Sequence, residues 1–540
     1  YRLTVKGINL EEDDNGNEYC SINNKGTMRV QTKGGTPDNR NARLERQRTM
    51  DFTLGGEHLF GKLDTRWSVN YAKASEERPN ERYIDYQLKK QKFNMDLSDE
   101  RKPLLTPQEG STMYLNDDFT LKEVTEQQED IQEKDFSLPL TKGEFGNHLR
   151  FGAKVVHKTK DKEIDFYEYT PLDEEGFDKA SLAAAVDQNR DGYIPGDQYE
   201  VGSFVSKEYL GSLDLNNASL FEKEQVQEEL ATNFKAKETV AAGYLRFDQK
   251  LGKKWDLMLG LRLEITHVKY SGSQFDADEE KTTRTPYESD SYLNVLPSVL
   301  VKYDVNDDFK VRASFTNTIA RPKYSALAPN ITIKRSDNEI SLGNPGLKPT
   351  LSYNFDLSGE YYFKSIGLVS AGIFYKKIND FIVDQTLRNY SYNGTTYTKF
   401  SQPRNSGNAD LLGVEVAYQR DLSFIAPSLK CIGFYGTYTY SYSRVDNFNF
   451  EGRENESGLR LPGSPEHTAN ASLFFEKSGL SIRLSYNYAS AFIDEMGSEK
   501  FYDRYYDAVN YMDANASYTF GKKLKTTFYA EANNLLNQPL

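Results

Sequence analysis

From Glu238 to its end the chain repeats one unit: an alternating strand of about ten or more residues, a connection, and another such strand. About a dozen of these runs follow one another, and their connections are by turns short and long. Residues 341–376 show the unit best. A Gly-Asn-Pro turn with a further proline at Pro349 closes a long connection, and two alternating runs then flank a four-residue turn at 364–367. In the first run Tyr353, Phe355, Leu357, Tyr361 and Phe363 share one face, with Ser352, Asn354, Asp356, Ser358 and Glu360 on the other. In the second, Val369, Ala371, Ile373 and Tyr375 oppose Ser370, Gly372 and Lys376, with Phe374 the exception. The run 255–270 repeats the division, Leu257, Leu259, Leu261, Leu263 and Ile265 facing away from Arg262, Glu264 and Thr266.

One such hairpin would suit a soluble sheet equally well. The asymmetry of the connections decides between the two. Short links at 252–254, 304–308, 364–367, 476–479 and 521–523 alternate with long polar ones at 271–289, 318–349 and 443–464. A soluble sandwich has no reason to gather its short turns at one end, whereas an outer-membrane barrel has short periplasmic turns and long extracellular loops. Strands of about ten tilted residues cross a bilayer, and closure leaves no edge unpaired in lipid. With a mean hydropathy of −0.71, no apolar run approaches the roughly 18 residues of a spanning helix. Aromatic residues make up 13% of the chain, which suits strands whose ends sit at a lipid interface. The fold class expected is therefore all-β, a transmembrane antiparallel β-barrel.

The first 235 residues are less regular. Strands are expected around Leu63, Trp67, Val69 and Tyr71 and over 43–54, 83–97, 119–138 and 148–169, several outrunning the membrane as ribbons. The total comes to roughly 18 to 20, a barrel wide enough to hold water or a plug. Two stretches read as loop helices: 177–186, and 219–229, where Ser219 and Glu222 form a capping box.

A net charge of −13 excludes a general nucleic-acid binder, which needs a basic surface to displace counterions. Cys20 and Cys431 are too few for a disulfide framework or a thiolate metal site. Asp187, Asn189, Asp191 and Gly192 spell D-x-N-x-D-G, the opening of a calcium loop, with Asp197 the next acid. The twelfth position, however, is Gln198 and not the bidentate Glu. An ordinary polar turn is the other reading, and a structural calcium the expectation if the motif is real. His58, His148, His157, His267 and His467 show no metal-ligand spacing, and His267 continues the outward register of Leu263 and Ile265 as a girdle residue. Nucleophile elbow, phosphate loop and H-E-x-x-H are all absent, so no enzyme, catalytic residue or required cofactor is expected. Asn354, Asp356, Ser358, Glu360, Arg483, Ser485 and Asn487 would line the lumen.

The stretch 342–363 resembles the GNP-x-LKPE turn and following EYYF strand of TonB-dependent outer-membrane receptors, with Thr350 where Glu is usual. Arg321-Pro322 with Tyr324 is similar to their R-P-x-Y segment, 371–382 to the next strand, and 411–419, 461–476 and 533–537 to later ones. The resemblance implies a barrel of about 22 strands in the full protein, filled by an N-terminal plug preceded by a TonB-contact segment. On that reading residues 1–540 are a partial barrel, with plug and last strands outside the sequence. It implies location in the cell outer membrane of a Gram-negative bacterium, partnership with the inner-membrane TonB complex and outer-membrane lipids, and, for glycan or peptide import, a surface lipoprotein. The function expected is active import of a scarce solute: a ferric chelate, a cobalamin-like cofactor, a glycan or a peptide. A scaffold or adhesin that kept the receptor fold without transport is the alternative, and a soluble polysaccharide-binding β-protein a third reading.

Overall fold

A computed structural model describes the chain except at residues 1, 6–7, 13–17, 23–24, 41–43, 61–62, 97, 99–103, 109–114, 117–118, 143–146, 188–201, 277–278, 335–337, 364–366, 447–452, 454–455, 457, 498–499, 501–502, 523 and 539–540. Its dominant element is a twenty-stranded sheet. Sixteen of its strands follow in chain order, each antiparallel to the next: β1 (Arg46–Phe60), β2 (Leu63–Asp96), β3 (Thr120–Lys142), β4 (Asn147–Pro171), β5 (Phe234–Leu251), β6 (Trp255–Ser271), β7 (Glu288–Asp304), β8 (Phe309–Ala320), β9 (Thr350–Tyr362), β10 (Gly367–Asn379), β11 (Asn408–Asp421), β12 (Ile432–Asp446), β13 (His467–Lys477), β14 (Leu480–Ala489), β15 (Val509–Phe520) and β16 (Thr526–Ala532). Among the described residues β1 registers only with β2 and β16 only with β15. The connections alternate throughout, from two to ten residues at one rim and from sixteen to sixty-two at the other.

Register carries the two-faced pattern across the sheet. Phe247, Leu259, Val299, Phe315, Phe355, Tyr375 and Leu412 form one row over seven strands. On the other face Asp256, Lys302, Arg312, Ser358, Gly372, Glu415 and Thr439 form another. A one-residue slip would exchange the faces, so each hairpin turn and the period-two pattern fix the same answer. Leu259 is 41% exposed, Phe355 47%, Leu357 48% and Ile482 43%. Side chains of a sandwich core would be buried, so this apolar face is built for acyl chains and not for a second sheet. Near the short-turn rim Trp255 packs against Tyr303, the rings tilted and their centroids 4.3 Å apart, and the Tyr361, Phe363, Tyr418 and Phe434 rings follow at 5.3–6.2 Å. Rings with a polar tip favour that boundary.

Two sequence expectations need correction. The stretch 83–97 is not a separate strand, because β2 runs unbroken for 34 residues. At about 3.3 Å per residue it is about 110 Å long, so most of it stands clear of any bilayer. Nor is 219–229 a helix: Phe221–Gln225 is a strand paired with the end of β4, and only Gln227–Leu230 turns helically. Phe221 is buried against the Tyr169 and Phe177 rings, and that burial outweighs the local capping signal. The helix expected over 177–186 lies at Glu174–Ala183, its first turn capped by Asp173.

Candidate functional site: the charged wall and its loop clamp

Strand β5 brings Glu238 to the polar face, and β6 brings Arg262, Glu264 and Thr266, two residues apart along the strand. Both carboxylates are buried. A buried carboxylate needs a cation and donors, and the loop after β8 supplies them. Pro322 cannot continue the strand ladder, so the chain turns inward directly after Arg321. The guanidinium then reaches Glu264 at 2.6 Å, Thr266 Oγ1 at 3.1 Å and Glu238 at 3.9 Å. Tyr324 donates its hydroxyl to Glu238 at 3.2 Å, and Arg262 holds the other Glu264 oxygen at 2.7 Å.

The same loop meets the Gly-Asn-Pro turn. Gly343 N–H donates to the Asn330 carbonyl at 3.0 Å and Asn344 N–H to that of Ala326 at 2.7 Å. Tyr270 donates to the Pro345 carbonyl at 3.1 Å, and the Asn344 amide to that of Pro403 at 2.9 Å. A Cβ at Gly343 would lie 1.7 Å from the Ala328 carbonyl oxygen, so only glycine permits this approach. Leu347 seals the turn against Val268, Tyr270 and Leu327. Two motifs about twenty residues apart in sequence thus close one clamp on the wall.

Under the clamp a cavity of about 350 Å³ is lined by Lys154, Lys158, Glu238, Arg262, Glu264 and Arg321. A second, of about 500 Å³ near the short-turn rim, is lined by Arg150, Asp248, Asp256, Lys302, Arg312 and Asp356. There Lys302 bonds Asp256 at 2.9 Å, Arg312 bonds Glu360 at 3.1 Å, and Arg150 lies 3.3 Å from Asp248. The residues expected to line the lumen are on this face. Asn354 is buried and donates to the Thr316 carbonyl at 3.1 Å, Asp356 accepts from Ser314 at 2.9 Å, and Ser485 meets Ser472 at 3.0 Å. Carboxylates held this way are fixed charges in cross-strand ladders, suited to binding polar surfaces and not to proton transfer.

The long loops fold into bodies of their own. One packs Met28, Ile84, Tyr86, Val124, Tyr169 and Leu210 around the upper ends of β2–β4. Another is a six-stranded sheet contributed by the loops after β6, β8 and β10, with Ile340, Leu387, Tyr397 and Phe400 at its core. The loops after β12 and β14 are locked by Arg453, which bonds both Asp503 oxygens at 2.5 and 2.9 Å and Glu456 at 2.6 Å. Burial works against the Arg453 charge, and these carboxylates outweigh it, holding the guanidinium above its ordinary pKa. No sequence motif marked this lock; its partners lie in different loops.

Of the calcium-loop residues, Asp187 is exposed at the end of the short strand Ala185–Asp187, which pairs with Ser203–Val205. Asn189, Asp191, Asp197 and Gln198 lie outside the described residues. Among the described residues no group of three His, Cys, Asp or Glu side chains is placed to hold a metal. His267 is exposed on the apolar face, its Nδ1 2.7 Å from Ser291 Oγ, in the girdle position expected.

A sheet of antiparallel hairpins, apolar outside and charged within, with short turns at one rim and folded loops at the other, defines a transmembrane β-barrel of the outer-membrane type. The family model described as TonB dependent receptor-like, beta-barrel, matches residues 9–535, and the chain belongs to that family. Among solved structures it is similar to the siderophore receptor PiuA from Acinetobacter baumannii, with a TM-score of 0.52 at 13% identity over 94% of this chain and 66% of that one. The copper transporter OprC gives 0.49 at 12% identity, over 96% of this chain and 71% of that one. The ferric citrate transporter FecA in its unliganded form gives 0.47 at 13%, over the same shares. No curated protein sequence matches the chain.

Proposed function

We propose that this chain is the barrel of an active importer in the outer membrane, driven through TonB, which takes up a scarce solute too bulky for an open pore. The observation that supports this reading best is the built mouth: loop bodies with their own cores stand over a wall of fixed charges, where a passive pore would need only an open rim. In this reading the loop bodies capture the solute, and the wall binds polar surfaces that must let go for passage. Ferric chelates are the solute class put forward first, since the matching fold of PiuA carries the name of a siderophore receptor. No covalent step is needed from the chain. The test is growth of the native strain under iron limitation on a panel of ferric chelates, with this gene or the TonB gene deleted. Loss of growth on the same chelate in both deletions is expected. Uptake unchanged without TonB would refute energised import, and unchanged uptake of every chelate without this gene would refute the solute class.

A further inference from the structure

The outward face of β4–β7 can be followed row by row toward the long-loop rim. Val155, Ala241, Ile265 and Leu293 form the last apolar row. His157, Thr239, His267 and Ser291 come next, with His157 Nδ1 2.9 Å from Thr239 Oγ1. Above them lie Thr159, Lys237, Lys269 and Ser289. Lys237 and Lys269 are directly opposed across the β5–β6 pair, and both are exposed. Like charges so placed repel each other. Among the described residues neither lysine has a carboxylate within ion-pair distance; Lys237 only leans on the Tyr287 ring, at 5.6 Å. The nearest acids along β4, Asp161 and Glu163, are already engaged by Lys235 at 3.0 and 2.8 Å, and Glu163 by Arg284 at 3.2 Å. A different arc of the barrel is balanced: Lys377 is opposed by Asp410, which is opposed in turn by Arg444, itself bonded to Asp446 at 2.9 Å.

We infer that Lys237 and Lys269, with the hydroxyls and imidazoles around them, hold the phosphate of a lipid headgroup in the leaflet on the long-loop side. The position selects a lipid over a soluble anion. Two rows below the ammonium groups, beneath the His157–Ser291 row, Ile265, Leu293 and Val155 offer an apolar surface along which acyl chains would lie, and phosphate would meet the lysines where hydrocarbon gives way to water. Ammonium and phosphate make charge-assisted hydrogen bonds, and the anion relieves the repulsion between the two lysines. This inference depends on the barrel fold and not on what the barrel imports.

The test uses the purified chain in detergent micelles, with bisphosphorylated lipid A, the same lipid dephosphorylated, and inorganic phosphate as probes. Lipid retention is read by native mass spectrometry. Wild type should retain the bisphosphorylated form at least about tenfold more tightly than the dephosphorylated one, since a hydrogen bond to a charged group is worth about 1.5–3 kcal/mol and 1.4 kcal/mol is tenfold. Lys237→Gln/Lys269→Gln should lose that preference, and Lys377→Gln should keep it. Equal retention of the two lipids by wild type, which is independent of any variant's folding, would overturn the inference. So would full preference in a double variant that still shows the heat-modifiable mobility of a folded barrel. Complete displacement of the lipid by millimolar inorganic phosphate would mark a free-anion site and overturn it as well.

Discussion

Replacing Leu261 by arginine tests the lipid-facing assignment most directly. Along β6 the aromatic boundary is set by Trp255 at the short-turn end and the polar one by His267, twelve residues later. At about 3.3 Å per residue and a tilt of about 45°, that interval rises about 28 Å, close to the hydrocarbon thickness of a bilayer. Leu261 stands midway, 44% exposed and registered between Leu245 and Pro297. A guanidinium at the midplane of a barrel costs about 2–4 kcal/mol, falling to about 0–1 kcal/mol near the interfaces. Leu261→Arg should therefore lower unfolding free energy by that larger amount and His267→Arg by less than about 1 kcal/mol, with Ile265→Arg between them. Reversible guanidinium unfolding in phospholipid vesicles, followed by tryptophan emission and gel mobility, measures all three. A flat profile, or a Leu261→Arg cost below about 0.5 kcal/mol, would show that this face does not meet hydrocarbon.

Further outcomes are expected elsewhere. Arg321→Ala leaves Glu238 and Glu264 buried without their shared cation, so residues 321–349 should exchange amide hydrogens faster and import should fall; a loop protected as in wild type would contradict the clamp. Arg453→Leu strands Asp503, whose side chain is 1% exposed, at a local cost of about 3–5 kcal/mol. Limited proteolysis should then cut the loops after β12 and β14 while the barrel's heat-modifiable mobility stays unchanged. At Gly413 a Cβ would lie 2.2 Å from the Phe374 ring and 2.6 Å from the Tyr440 carbonyl oxygen, so Gly413→Val should destabilise by about 1–3 kcal/mol in the same vesicle assay, and an unchanged midpoint would refute the contact. Above the membrane the Lys235 hydrogen bond holds Glu163 below the usual carboxylate range, and Glu163 with Asp161 raises Lys235. The depressed acid stabilises above its unfolded pKa of about 4.3 and loses this as pH falls through its lower folded value. The raised lysine stabilises below about 10.4 and loses this as pH climbs through its higher folded value. Amide exchange in the loop-side ends of β4 and β5, corrected for intrinsic rates, should be flat between those limits and faster outside them, and a slope near pH 7 would contradict the pairing.

The sequence alone determined the strand faces, the alternation of turns and loops, and the residues of the polar wall. These depend on a period of two, which places Arg262, Glu264, Asn354 and Glu360 on the face opposite their apolar neighbours whatever lies beyond the strand. Both clamp motifs were legible as strings. That Arg321 reaches Glu264 while Gly343 closes on Ala328 was not, since the contacts join loops whose approach depends on strand order and register. The same holds for the Arg453–Asp503 lock, the six-stranded loop sheet and the opposed Lys237–Lys269 pair. At Phe221–Gln225 the tertiary structure overruled a local helix signal, because pairing with β4 and burial of Phe221 contribute more than one capping box. Local chemistry decided which way each side chain faces, and only the tertiary arrangement of distant segments decided which of them meet.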